Sequence, residues 1–210
     1  MRSVFVVMRT LIYTAAFLFI CGAVAVPQGG EPEECRPRRP DMNSVREECC
    51  KLPEPSQTRK EAFKSCREKL GIHHPHGPPP DGNPPPRPTG PPPHECLEEC
   101  VFTELGALTA DLQLNKDTIP TKIVEHFLES PEWNPIAQEA LRTCLDASPG
   151  EIGPDSTCRS GASNFHRCFM RAVYLSCPGS LKSESDSCKE ERERLEKCPN
   201  LMPKPPKPRN

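Results

Sequence analysis

The chain has 210 residues and carries 27 Lys+Arg against 29 Asp+Glu, a near balance with both signs interspersed that offers no basic face to nucleic acid. Its 13 cysteines make the redox compartment the first question to settle.

Arg2 and Arg9 precede an apolar run that ends in Ala23-Val24-Ala25, a small-x-small cleavage signal. Residues 1–25 are therefore expected to be a signal peptide. The apolar run from Leu11 to Val26 falls short of the roughly 20 residues that span a bilayer, so no membrane insertion is expected after cleavage. Cleavage removes Cys21 and leaves 12 cysteines, an even number in a chain bound for an oxidising, extracellular compartment. Six disulfides follow, each contributing about 2 to 4 kcal/mol, largely by restricting the unfolded chain. The length left is enough for one domain.

Residues 26–40 form a Pro- and charge-rich strap that contains Cys35 and lacks apolar periodicity. Asp41 can cap a short helix with Met42, Val45, Cys49 and Leu52 on one face, stopped by Pro53 and Pro55. Thr58 to Glu61 reads as a capping box, opening a helix whose stripe is Phe63, Cys66 and Leu70 and which Gly71 closes. Residues 75–93 contain 11 prolines and are expected to be an exposed loop inserted in the domain.

The spacing of Leu97, Val101, Leu105, Leu108 and Leu112 predicts one long helix from His94 to Leu114. Cys96 and Cys100 lie one turn apart on it, so they face the same way and can staple it to two other elements but not to each other. Residues 120–129 predict an amphipathic helix through Ile123, Val124, Phe127 and Leu128. Asn134-Pro135 then caps another, with Ile136, Ala140, Leu141, Cys144 and Leu145 as its apolar face. After a loop bearing Cys158, the residues Phe165, Cys168, Phe169, Ala172 and Val173 mark a further helix ending at Cys177-Pro178. Cys188 to Cys198 predicts a solvated helix tied down at both ends, with Leu195 as its one large apolar residue, ahead of a disordered tail at 201–210. No strand-like alternation with hairpin signals occurs, so the fold class is all-α, a compact bundle of about six to seven short helices in a domain over 41–200.

Three residues separate Cys96 from Cys100, 43 separate Cys100 from Cys144, nine separate Cys158 from Cys168 and eight separate Cys168 from Cys177, with Pro178 directly after. Nine more lie between Pro178 and Cys188, and nine between Cys188 and Cys198. This spacing resembles the Plus-C subgroup of the insect odorant-binding proteins, over most of the chain from Cys49 to Cys198. The subgroup adds cysteines, and a proline after the sixth family cysteine, to a six-cysteine pattern. The resemblance implies three bridges: Cys50 (or Cys49) with Cys100, Cys96 with Cys168, and Cys144 with Cys177. Cys35, Cys49 (or Cys50), Cys66, Cys158, Cys188 and Cys198 would make three more, in an order the sequence leaves open. The C-terminal extension over 179–200 would be tied to the bundle by some of these.

The resemblance further implies an extracellular carrier for small hydrophobic molecules such as odorants, held in a cavity between helices. The apolar stripes nominate Leu97, Val101, Leu105, Ile123, Phe127, Leu141, Phe169 and Val173 as lining, with Trp133 and Tyr174 as rims able to offer a hydrogen bond. His126 and His166 lie on helices near the proposed core, and the resemblance suggests that their protonation releases ligand. His73, His74 and His76 sit in the proline loop, and no metal and no cofactor is expected. A homodimer or a sensory receptor are candidate protein partners, and the proline loop could instead serve a secreted protein-interaction module. No catalytic residue is assigned: Cys49-Cys50 is followed by Lys51-Leu52-Pro53 rather than the His-Asp of a secreted phospholipase, and neither a Gly-x-Ser-x-Gly elbow nor a His-Glu-x-x-His helix occurs.

Overall fold

Glycine and serine set the limits of the first two helices in the computed structural model, which describes residues 32–35, 47–72, 95–152 and 156–203. Two units are distinguished: residues 1–36, whose described part is a single 3-10 turn, Glu33–Cys35, and residues 37–210, which hold everything else. Seven α-helices and no strand occur among the described residues.

Helix α1 spans Gln57–Lys69 and starts two residues before the expected capping box, because Ser56 Oγ accepts the backbone N–H of Arg59 at 3.3 Å. It ends as expected at Gly71, whose φ of +64° lets Ile72 N donate to Arg67 O (2.9 Å) and Gly71 N to Glu68 O (3.2 Å). Phe63 is exposed, contrary to expectation, and the helix buries only Ala62 and Cys66. These pack against Leu97 and Val101 of α2 (Glu95–Glu104) in a small core of their own.

Helix α2 stops ten residues short of the predicted long helix. Gly106, at φ +68°, permits the bonds Ala107 N to Phe102 O (2.8 Å) and Gly106 N to Thr103 O (3.0 Å), which satisfy the last carbonyls and turn the chain away. Beyond it Leu108 and Leu114 pair across a tight turn, where Leu112 is exposed with φ +56°. The leucine periodicity is real, but a left-handed glycine overrides it.

The amphipathic helix expected over 120–129 is two single turns, α3 (Ile119–Lys122) and α4 (Glu125–Leu128). The break at Ile123 and Val124 buries both side chains and leaves Ile123 O free to accept from Arg59 Nη1 at 3.3 Å. Helix α5 (Asn134–Ala147) starts at Asn134-Pro135 as read, held by a 2.5 Å bond from Asn134 Nδ2 to Leu128 O. Helix α6 (Ala162–Leu175) buries Ala162, Phe165, Phe169, Val173 and Tyr174 as one stripe. Helix α7 (Asp186–Lys197) is polar except for Leu195 and its flanking cysteines, as its sequence indicates. Arg171 of α6 clamps its end by donating to Leu195 O and to Cys198 O (2.9 Å).

The helix read from Asp41 is corrected. Residues 41–46 lie outside the described residues, but Cys49 and Leu52 are not helical: Cys50 pairs with Lys182 in an antiparallel bridge, with Lys51 N to Leu181 O and Ser183 N to Cys49 O both at 3.0 Å. In extended backbone adjacent side chains point to opposite sides. Cys49 therefore reaches Cys188 of α7 while Cys50 reaches Cys177 at the end of α6.

All twelve cysteines from Cys35 to Cys198 are disulfide-bonded, but the implied pairing is wrong. The remaining named bridges are Cys66–Cys100, Cys96–Cys158 and Cys144–Cys168. The interlocked order that the resemblance implied, first with third, second with fifth and fourth with sixth, survives when counted from Cys66 to Cys168. Cys66 inside α1, set aside on the sequence, is the first of the six, and Cys177-Pro178 falls outside them. Cys96 and Cys100 do staple α2 to two different elements. The proline insertion at 75–93 and the histidines at 73, 74 and 76 lie outside the described residues. A non-reducing peptide map should recover Cys66 joined to Cys100 and separate partners for Cys49 and Cys50; a peptide joining Cys50 to Cys100 would contradict this arrangement.

Candidate functional site

Four segments meet around a cleft of about 420 Å³: residues 52–55, the first turn of α1, the broken α3–α4 segment and one face of α6. Ile123, Val124, Phe127, Phe165, Phe169 and Met170 form its apolar floor, and Leu52, Pro53 and Pro55 form a wall. The floor is stiff because its rings brace one another. Phe127 meets Phe169 and Trp133 edge-on, at 5.3 and 5.5 Å between centroids, and Phe165 stacks on Phe169 at 5.8 Å and meets Phe102 edge-on at 5.9 Å.

Polar groups occupy one side of this apolar cleft. Arg59 Nη2 lies 3.6 Å from Glu98 Oε2, and Glu98 Oε1 lies 3.2 Å from Nδ1 of the cleft-lining His166. His126, also in the lining, has Nδ1 3.9 Å from Glu125 Oε2, with its ring tilted over Phe127 at 4.6 Å. Burial pushes His126 down to about 4, aided by the Arg59 cation and opposed by Glu125. Burial and Arg59 likewise hold His166 below its usual value, against the pull of Glu98. Both imidazoles are neutral at physiological pH.

No family model matches the chain. It is similar to general odorant-binding protein 68 of Anopheles gambiae, with 25% identity over 201 residues that cover 90% of this chain and 86% of the mosquito protein. It is also similar to general odorant-binding protein 67 of the same mosquito, with 22% identity over 158 residues, 72% of each chain.

Both relatives are mosquito general odorant-binding proteins.

In this chain the residues nominated from sequence part company. Ile123, Phe127 and Phe169 line the cleft. Leu97 and Val101 are spent on packing α2 against α1, and Leu105 is half-buried between the two cores. Trp133, Val173 and Tyr174 are buried in the main core, Leu141 packs at its edge, and Tyr174 donates to Glu191 Oε1 at 3.1 Å rather than facing the cleft. Sequence reasoning missed Val124, Phe165, Met170, Arg59 and the 52–55 wall. Phe165 and Met170 flank His166 and Phe169 at helical spacing, a signal that could have found them. The wall is set by long-range contacts and had none.

The histidines give a pH dependence whose sign is fixed. An unfolded histidine titrates near 6.5, so below that value the unfolded chain takes up protons that the native fold resists. The stability these side chains contribute is fully present above about 6.5 and is lost as pH falls toward 4, on the order of 3 kcal/mol for His126. Urea unfolding should therefore weaken more steeply between about pH 7 and about pH 4.5 in the native chain than in His126→Leu. Parallel curves for the two would contradict the assignment.

Proposed function

We propose that the chain is a secreted carrier that reversibly binds small hydrophobic molecules in the cleft between α1, α4 and α6, as the odorant-binding names of its relatives indicate for them. The single observation that carries this reading is the open, aromatic-floored cleft of about 420 Å³, a size that suits a small organic ligand. Covering on the order of 300 Å² of ligand at about 25 cal/mol per Å² gives around 7 kcal/mol before association costs, which makes micromolar the tightest affinity this burial supports. That scale suits uptake and release rather than storage.

Secretion is supported by the family and by the signal-like residues 1–25, which lie outside the described residues; no described helix is long and apolar enough to cross a membrane. Membership of the Plus-C subgroup is supported by six cysteines beyond the interlocked six.

The test is titration with an apolar fluorescent dye such as N-phenyl-1-naphthylamine. Micromolar binding is expected, with Met170→Trp, which fills the cleft, weakening it about tenfold while Leu141→Trp leaves it within about twofold. Equal effects of the two substitutions would move the binding site elsewhere, and no dye binding would overturn the carrier reading.

A further inference from the structure

An apolar cleft that only shielded hydrocarbon would not need two imidazoles in its lining. His166 presents Nδ1 to Glu98 Oε1 at 3.2 Å, and a carboxylate there places the ring proton on Nδ1 and leaves Nε2 as a bare acceptor. His126 Nδ1 lies 3.9 Å from Glu125 Oε2, beyond hydrogen-bond reach, and is buried without a hydrogen-bond partner among the described residues, but a neutral imidazole keeps one acceptor nitrogen in either tautomer. Each histidine thus brings an acceptor nitrogen on a side chain that lines the cleft.

Positive charge is committed elsewhere. Arg59 donates to Ile123 O and faces Glu98, and Lys60 pairs with Glu54 at 3.1 Å. Against these two cations stand Glu48 and Glu54 in the lining, with Glu98 and Glu125 directly behind the histidines. A ligand carboxylate would meet acceptors and like charge. A hydroxyl would find a partner.

We propose that the cleft selects amphiphiles bearing a neutral hydrogen-bond donor, a hydroxyl above all, whose proton His126 or His166 accepts while the tail lies on the aromatic floor. This deepens the carrier reading and rests on it. A tail with no donor leaves unpaired the nitrogen that the alcohol would satisfy, which disfavours it about five- to tenfold relative to the alcohol.

The experiment is displacement of N-phenyl-1-naphthylamine from the oxidised chain, at about pH 7.5, by 1-decanol, decyl methyl ether and decanoic acid, ligands of nearly equal apolar length. The alcohol should displace the dye at about five- to tenfold lower concentration than the ether, with the acid weakest. In His126→Leu/His166→Leu the alcohol and ether should come within about twofold of each other, and His126→Gln/His166→Gln, which restores an acceptor oxygen, should recover part of the gap. Equal displacement by alcohol and ether in the native chain overturns the proposal, whatever the folding of the variants. So does an alcohol preference that survives the double leucine substitution in a folded protein. Dye binding without discrimination leaves the carrier reading standing, whereas failure of the dye to bind removes both.

Discussion

Covalent cross-linking is the constraint on which the architecture rests. Helix α1 buries only Ala62 and Cys66, and its polar contacts with α2 are a largely buried ion pair, Arg59 with Glu98, a surface pair, Lys69 with Glu104, and a bond from Ser65 to the Glu104 carboxylate. The exposed pair is screened by solvent, and the attraction of Arg59 for Glu98 is offset by the cost of desolvating both charges. The Cys66–Cys100 bridge closes a separation of 34 residues and restricts the unfolded chain by about 4 kcal/mol in the loop-entropy account. The bridge is therefore the strongest single tie on the helix that carries Arg59 to the edge of the cleft. The vicinal pair works the same way at the other end: extended backbone sends Cys49 to α7 and Cys50 to the end of α6, so one short segment ties the C-terminal extension to the bundle.

Because the elements are tethered, the interior can afford both a void and a polar group beside it. The floor is rigid aromatic packing, centred on Phe127 and Phe169, and the side bears Arg59, Glu98, His166 and His126. Arg59 is the common member. It holds the broken α3–α4 segment through Ile123 O, faces Glu98, and adds to the burial that keeps both imidazoles neutral. Shape and electrostatics in the cleft thus share one side chain, carried by the helix that the Cys66–Cys100 bridge anchors.

Much of the fold was legible from sequence wherever a single stripe met a sharp stop. Helices α5, α6 and α7 follow their apolar periodicity and end where proline or cysteine chemistry requires. Legibility failed where a local conformational fact overrode the period. Gly106 ended α2 although Leu108 and Leu112 continued its pattern, and Ile123 and Val124 broke a helix that their spacing allowed. Cys49 and Cys50 look helical by spacing, yet two adjacent cysteines with different distant partners need extended backbone. The cleft was half legible for a related reason. Periodicity tells which face of a helix is buried but not what it is buried against, so Val101 and Phe169 looked alike. The residues that distinguish cleft from core, Arg59 and the 52–55 wall, are brought there by contacts far apart in sequence.

The central claim is that a cross-link rather than side-chain packing holds this cleft open. Its most direct measurement is the dye affinity of Cys66→Ala/Cys100→Ala set beside that of the fully oxidised native chain, with helix content followed by circular dichroism. Helix content that stays near native with affinity reduced about tenfold or more is the predicted result, since α1 would lose its one strong attachment while the floor stayed intact. Undiminished affinity in the variant would show that packing alone positions α1 and would contradict the account.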